Sequence, residues 1–371
     1  MIIAVNTRLR KEEQPEGYES FLFEILNRLT KKNPQHSFIF IFDKGYDEKL
    51  SFGKNVQPIV TGPETSTKLR LQYWLNYKIP AILRKYKAAV FVSMEGTCSL
   101  RTKVPQCLLL SDLSFLQQPQ LLKKAQAGFY KKNTAAFLAK AKSIATVSEF
   151  SRSVIVNQYK INADDITLIN AGVNEIFKPI DWEATEIIKE KYTEGKAYFL
   201  FSGDINQRSN LINLLKAFSF FKKRQKSNMM LLIAGNANEA FKKELNNYKF
   251  KNEVLLLENL QTNELAKITA ATYAFVYPVL YTDFALPPLQ AMQCGVPVIA
   301  SNTGALPIIC GDAALYCNPY DFKDIAENMM LVFKDEGKAG KLVEAGNAIV
   351  KQYQWDRTAD LLMQCIFKCA D

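Results

Sequence analysis

The chain alternates short apolar runs with longer segments in which apolar residues recur every three or four positions. In the first half the short runs are Ile2–Val5, Phe38–Phe42, Ala89–Ser93, Cys107–Leu110 and Ile144–Val147. In the second half they are Tyr198–Ser202, Met230–Ala234, Val254–Leu257, Ala274–Tyr277 and Val298–Ala300. Near-continuous hydrophobicity over so few residues predicts strands buried on both faces, as in a parallel sheet covered by helices. The 3.6-residue pattern predicts helices near 18–31, 69–86, 121–141, 210–225, 238–248, 262–270 and 286–294, with a last helix from Trp355 toward Cys369. Ser148, ahead of Glu149-Phe150-Ser151, takes the place of a helix N-cap. Strand and helix alternate through the chain twice, so the expected fold class is α/β with two doubly wound domains. The boundary falls in the polar stretch after Asn170, including Glu175–Lys196. In open sheets of this kind ligands lie outside the carboxyl ends of the strands, and the chemistry is sought in those loops.

Composition narrows the class. A chain of 371 residues holds about two domains. At 48% hydrophobic and 23% charged it is ordinary globular material, neither disordered nor fibrous. The opening Met-Ile-Ile-Ala-Val-Asn reads as a strand and not as a leader. No apolar run reaches the ~18 residues of a membrane span, so the expectation is a soluble protein, peripheral at most. The single His36 precedes Phe38–Phe42 and reads as an exposed loop residue. One histidine leaves no metal site built on two, and no Ser-His-Asp triad without His36. Seven Cys with no repeated C-x-x-C spacing fit a reducing cytosol better than a disulfide framework or a zinc site.

Charge is uneven. The net charge is +10. Residues 67–143 hold fourteen Lys and Arg against two acids, Glu95 and Asp112. Within them, Leu69–Tyr86 interleaves Tyr73, Trp74, Tyr77 and Ile79 with bases, and Leu121–Ala141 does the same with Phe129, Tyr130, Phe137 and Leu138. One reading is a solvated helix face with its aromatics turned into the core. The other is contact with an anionic membrane surface. Nucleic acid is not expected as a partner, because no helix-turn-helix, zinc-finger or RNP-type signature accompanies the bases.

The most informative segment is Tyr277–Gly295, where a strand ends, a loop follows, and a helix begins near Leu286 with Pro287 in its first turn. A helix N-terminus offers unpaired N–H groups and partial positive charge, which suits phosphate. The same pattern also describes an ordinary strand–helix connection, and the residues alone leave both open.

Tyr281–Gln290, with Ala291-Met292 and Gly295-Val296-Pro297-Val298-Ile299, resembles the signature of glycosyltransferase family 4, the group 1, retaining enzymes of GT-B type. Further similarity runs through Ala145–Ser151, Asn170–Val173, Phe177-Lys178-Pro179, Gly203 with Arg208-Ser209-Asn210, Leu214–Phe218, Gly311–Ala314 and Trp355–Ala359. The resemblance implies two Rossmann-like domains facing a central cleft. Residues 1–172, joined by a crossing-back helix 355–371, would take the acceptor, and 173–354 the nucleoside-diphosphate sugar. It implies no metal and no other cofactor, since basic side chains and helix ends can neutralise the leaving diphosphate.

The departures from the family pattern matter equally. The first signature Glu falls at Thr282 and the second at Gln290; the signature glycines fall at Asp283 and Ala285. The phosphate-holding Arg-Lys pair is Arg208-Ser209, and the His-Asp pair is Ser111-Asp112. In the N-terminal glycine loop Gly17 remains, but the next glycine position is Glu19. Loss of one preorganised donor costs about 2.7–4 kcal/mol in comparable sites, and Asp283 and Glu19 would add negative charge where a diphosphate sits. The expected donor set is Gly203, Arg208, Ser209, Asp283, Phe284, Ala285, Leu286 and Gln290. Thr282, Ser111 and Asp112 stand at the catalytic positions, and Gly17 and Glu19 on the acceptor side. The function implied is retaining transfer of a hexose to a glycan or lipid-linked acceptor in surface polysaccharide biosynthesis. It would occur in the cytoplasm, with peripheral contact at the inner membrane face through residues 67–143. The alternative is an inactive relative that binds a glycan or serves as a partner subunit.

Overall fold

The computed structural model describes residues 1–8, 18–46 and 53–370. These form two compact units: Met1–Ala171 with Trp355–Asp371, and Gly172–Gln354. Each is built on one wholly parallel sheet.

The first unit's strands are β1 (Ile2–Asn6), β2 (Ser37–Phe42), β3 (Val56–Val60), β4 (Val90–Ser93), β5 (Gln106–Leu110), β6 (Ser143–Thr146) and β7 (Ile166–Leu168). They lie in the order β3-β2-β1-β4-β5-β6-β7. The chain therefore reverses its direction of travel between β1 and β4. The inner strands β4 and β5 are buried at every residue, which is why their sequences are unbroken apolar runs. The helix Glu149–Tyr159 starts at Ser148, whose Oγ accepts the Ser151 N–H at 3.1 Å.

The closing helix Trp355–Ala370 belongs to this first unit and packs beside the helix Tyr18–Lys32. Trp355 meets Phe21 with ring centroids 5.9 Å apart, and Arg28 pairs with Asp356 at 2.8 Å. On its inner side the Cys365 sulfur lies 3.4 Å from Cys107 of β5. All seven cysteines are free and buried.

The second unit's strands are β8 (Tyr198–Ser202), β9 (Met230–Ala234), β10 (Val254–Leu257), β11 (Ala274–Tyr277), β12 (Val298–Ser301) and β13 (Ala314–Cys317). Their order is β10-β9-β8-β11-β12-β13, so this sheet reverses between β8 and β11. Phe199, Leu200 and Phe201 of β8 are wholly buried, each stabilising the unit by about 1.5–3 kcal/mol.

The sequence pattern misses three strands, β3, β7 and β13, each short or broken by polar residues and each an edge of its sheet. An edge strand is covered on fewer sides. β3 alternates half-buried with exposed residues and contains Pro58, tolerated because an edge can forgo a ladder donor. The polar stretch Glu175–Lys196 is not simply a linker. Most of it is the helix Trp182–Thr193, capped by Asp181 and buried only at Ile188 and Thr193. The helices Phe322–Lys334 and Glu336–Val350 also went unread.

His36 is not an exposed loop residue. It is half-buried, with Nδ1 3.2 Å from the Met1 amine and its ring edge-on to Phe367 at 5.7 Å. Among the described residues no helix is long and apolar enough to cross a membrane.

Candidate active site

In the second unit the carboxyl ends of β8, β9, β11 and β12 gather the signature residues at the point where the strand order reverses, the usual place for a ligand in such a sheet. The loop after β8 opens with Gly203, whose N–H bonds Ala234 O at 2.8 Å. Gly235, at the end of β9, passes so close that a Cβ there would stand 1.9 Å from Gly203 O. Only glycine fits, and the two strand ends are fixed against each other.

Beyond Gly203 the chain makes a tight turn. Asn206 Oδ1 accepts the Arg208 N–H at 2.7 Å, while Ser209 Oγ accepts the Asn206 N–H at 2.8 Å. The Ser209 hydroxyl also donates within this turn, reaching Asp204 O at 3.0 Å and Asn206 O at 2.6 Å, and the residue is buried. Ser209 thus holds the loop's own backbone together instead of standing open to a diphosphate. Asn210 then clamps the loop to its neighbours, donating to Pro278 O at 2.8 Å and Pro319 O at 2.7 Å. The Arg208 carbonyl accepts the Leu280 N–H at 2.8 Å. This bond brings the arginine-bearing turn against the signature segment.

The signature segment is itself closed by local bonds. Thr282 Oγ1 accepts the Phe284 N–H at 3.0 Å and lies 2.5 Å from Phe284 O. Asp283, buried, accepts the Tyr281 hydroxyl at 2.9 Å. Behind the segment, Ala305 N–H bonds Thr282 O at 2.9 Å, and the Ser301 hydroxyl bonds Val279 O at 2.6 Å. Gly304 supports it from beneath at φ +60°, where a Cβ would stand 2.3 Å from Thr282 O.

Two expectations change here. The helix Leu286–Gln293 does begin where expected, but Pro287 and Pro288 both occupy its first turn and Ala285 offers no side-chain cap. Two of the N–H groups a phosphate would use do not exist. The Asp283 carboxylate, expected to add negative charge where a diphosphate sits, is buried and accepts the Tyr281 hydroxyl. Phe284, Ala285 and Leu286 are buried. Arg208 and Gln290 are half-buried, the least enclosed polar side chains of the expected donor set inside the turn and the helix.

The first unit has its own polar cluster at the carboxyl ends of β1, β4 and β5, again where its strand order reverses. Arg8 Nε and Glu95 Oε2 are 2.5 Å apart, and both side chains are 2% exposed. Arg8 Nη1 also donates to Thr65 Oγ1 at 3.0 Å, and Thr65 donates to buried Asp43. Arg8 thus pairs with Glu95 and reaches Asp43 through the Thr65 hydroxyl, an arrangement that survives desolvation only when each charge is bonded. Ser111 and Asp112 follow β5, and Asp112 Oδ1 accepts the Ser114 N–H at 2.8 Å, so the carboxylate also forms the turn into Ser114–Gln117. Both line a small pocket of about 30 Å³ with Arg8, Glu95, Gln126 and Tyr130. Arg8 and Glu95 were missed in the sequence, although a charge just past an apolar strand is a readable signal. Gly17 lies outside the described residues. Glu19 falls in the first turn of Tyr18–Lys32, and its side chain is not described.

Comparison with known proteins agrees with this geometry. Residues 183–349 match the family model "Glycosyl transferases group 1". O-antigen chain mannosyltransferase B of Escherichia coli is 28% identical over 249 residues, 66% of this chain and 65% of the relative. O-antigen chain mannosyltransferase RfbU of Salmonella typhimurium is 23% identical over 85% of this chain and 86% of its own. The serotype-specific mannosyltransferase WbdA of Escherichia coli is longer: the match, at 27% identity, spans 64% of this chain but 30% of WbdA. Among solved structures, sucrose-phosphate synthase from Thermosynechococcus elongatus superposes with a TM-score of 0.79 at 17% identity, covering 98% of this chain and 97% of that one. HepE from Anabaena, solved with UDP and glucose, gives 0.75 at 13% identity over 98% of both chains. Two parallel sheets of this strand order, with the signature segment at the reversal point of the second, give the chain a GT-B-type fold, and residues 183–349 of it match the group 1 glycosyl transferases.

Proposed function

We propose that the chain transfers a hexose from a nucleoside-diphosphate sugar to a glycan or lipid-linked acceptor in surface polysaccharide biosynthesis, with retention at the anomeric carbon. The observation that carries this reading is the joining of the Arg208 turn to the signature segment through the Arg208 O–Leu280 N–H bond. It fixes the backbone of a cationic residue beside the loop on which the family's donor chemistry rests. The relatives named as O-antigen mannosyltransferases favour mannose as the hexose and a growing surface polysaccharide as the acceptor. HepE, which holds UDP and glucose, supports a nucleotide sugar as donor.

In this reading Arg208 neutralises charge on the departing diphosphate, and Gln290 accepts a hydrogen bond from a ribose hydroxyl. The backbone of Thr282–Leu286 orients the sugar, and Asp112 lines the acceptor side. No metal or other cofactor is required, because a preorganised cation and oriented backbone dipoles can stabilise a leaving diphosphate. Transfer is tested with radiolabelled UDP-, GDP-, ADP- and dTDP-sugars, reading the linkage by NMR. Arg208→Ala should slow transfer at least about tenfold, or 1.4 kcal/mol. An unchanged rate sinks the phosphate role of Arg208.

A second reading, an inactive glycan-binding or partner subunit, is favoured by the engagement of Thr282 and Ser209 in their own loops. Reintroducing Glu at 282 and 290 with Lys at 209 would not restore a donor site, since two of the three changes remove bonds that shape it. Absence of transfer from every donor, in protein that binds an isolated polysaccharide, would establish the second reading over the first.

A further inference from the structure

The segment Lys68–Lys85 of the first unit carries more apolar surface than folding requires. Its inner face fills the core with Leu71, Trp74, Leu75, Ile79, Ile82 and Leu83, all buried. Its outer face repeats at helical spacing as Leu69, Tyr73, Tyr77 and Ala81. Leu69 is 80% exposed, Tyr73 46% and Tyr77 50%. The two tyrosines stack with centroids 5.3 Å apart. Tyr77 lies in a π-helical turn, Trp74–Lys78, a widening frequent at functional places. The loop after β4 extends the patch: Leu100, 41% exposed, donates its N–H to Asn76 Oδ1 at 2.8 Å, and the Arg101 guanidinium lies 4.4 Å from the Tyr77 ring centre.

The rim is of one sign. Arg70 bonds the Ser66 hydroxyl and Arg84 the Pro80 carbonyl, so neither pairs with a carboxylate among the described residues. The two acids of residues 67–143 lie elsewhere: Glu95 is buried on Arg8, and Asp112 closes its own turn. A protein partner of mixed surface would be matched by bases and acids together. A line of Leu and Tyr rimmed by bases alone matches a plane of anionic headgroups over hydrocarbon.

We propose that the Leu69–Tyr73–Tyr77 face, with Leu100, Arg70, Arg84 and Arg101, docks the protein on an anionic lipid bilayer. The proposal gives a location to the membrane contact that the charge of residues 67–143 suggests. It does not depend on turnover: a chain that binds vesicles but no nucleotide sugar refutes the donor reading alone, and the converse refutes this one alone.

The test is flotation of the full chain with phosphatidylglycerol–phosphatidylcholine vesicles against phosphatidylcholine alone. Binding is expected only to the anionic vesicles. Arg70→Gln with Arg84→Gln should weaken it about 25-fold, from roughly fivefold per near-surface base. Tyr73→Ser with Tyr77→Ser should weaken it at unchanged charge. Both double variants remove exposed side chains, so their melting temperatures should stay near that of the unaltered chain. The same charge change made on the second unit, Lys243→Gln with Lys249→Gln, should leave binding nearly intact. Equal binding to neutral vesicles, equal loss in the second-unit variant, or binding to single-stranded RNA with none to vesicles overturns the proposal.

Discussion

Replacing Gly304 by alanine would place a methyl carbon 2.3 Å from the Thr282 carbonyl oxygen and 3.1 Å from its nitrogen, at a backbone φ of +60°. The conformation alone costs a residue with a Cβ about 1–2 kcal/mol. The contact adds to it, because no real Cβ sits that close to a backbone atom. Thr282 must retreat by most of an ångström, yet its carbonyl is held by the Ala305 N–H and its hydroxyl by Phe284. A total loss of about 2–3 kcal/mol follows from conformational strain with a displaced backbone. For a domain of this size that lowers the melting temperature by roughly 5–10 °C. Misplacing the signature segment by such a distance can cost about 100-fold in rate. The assay is calorimetric melting beside transfer rate. Gly340→Ala serves as control: it lies in the helix Glu336–Val350 with nothing within 4 Å of a Cβ, and should stabilise by up to about 1 kcal/mol. A Gly304→Ala protein that melts with the unaltered chain would refute the claim that this glycine supports the segment.

Three further outcomes follow from the same contacts. Arg8→Met leaves Glu95 buried without its cation and should destabilise the first unit by about 3–5 kcal/mol, read by urea denaturation. Ser209→Ala removes the hydroxyl that closes the turn after β8; a loss of about 1 kcal/mol is expected, with donor affinity lowered because Arg208 rides on that turn. The lone His36 gives one imidazole signal whose titration by NMR should fall below 6.5, first because burial opposes its charge and second because the N-terminal ammonium repels it. The folded chain then binds that proton less readily than the unfolded one. The contribution of His36 to stability is complete above 6.5 and declines as pH drops through the lowered folded value. A midpoint at or above 6.5 would contradict the burial.

Much of the scaffold could be read directly because the inner strands are enclosed on every side. β5 and β8 have no polar alternative at most positions, so their sequences announce them. β3, β7 and β13 are edges of three to five residues, too short or too mixed for a pattern to stand out. The helix Trp182–Thr193 hid for a related reason, since its inward face is little more than Ile188. The loops of the candidate site could be placed from the sequence, but not the bonds that their side chains make. The family signature located Arg208, Thr282 and Asp283, while their roles depended on where hydroxyls and carboxylates turn. The sequence shows the charge of Asp283 but not that Tyr281 donates a hydrogen bond to it. Ser209 looked like a lost lysine and is also the closure of its own turn. The buried Arg8–Glu95 pair joins residues 87 positions apart, a pairing that no local pattern encodes.

The central claim is that the second unit still holds a nucleoside diphosphate sugar despite the altered signature. Thermal shift of the full chain with UDP-, GDP-, ADP- and dTDP-sugars tests it most directly. A donor at 100 times its dissociation constant stabilises the bound state by about 2.7 kcal/mol, a rise of roughly 5–10 °C at this domain size. The account predicts that rise with one nucleotide and its loss in Arg208→Ala. No shift with any of the four, at concentrations that saturate related transferases, would contradict it.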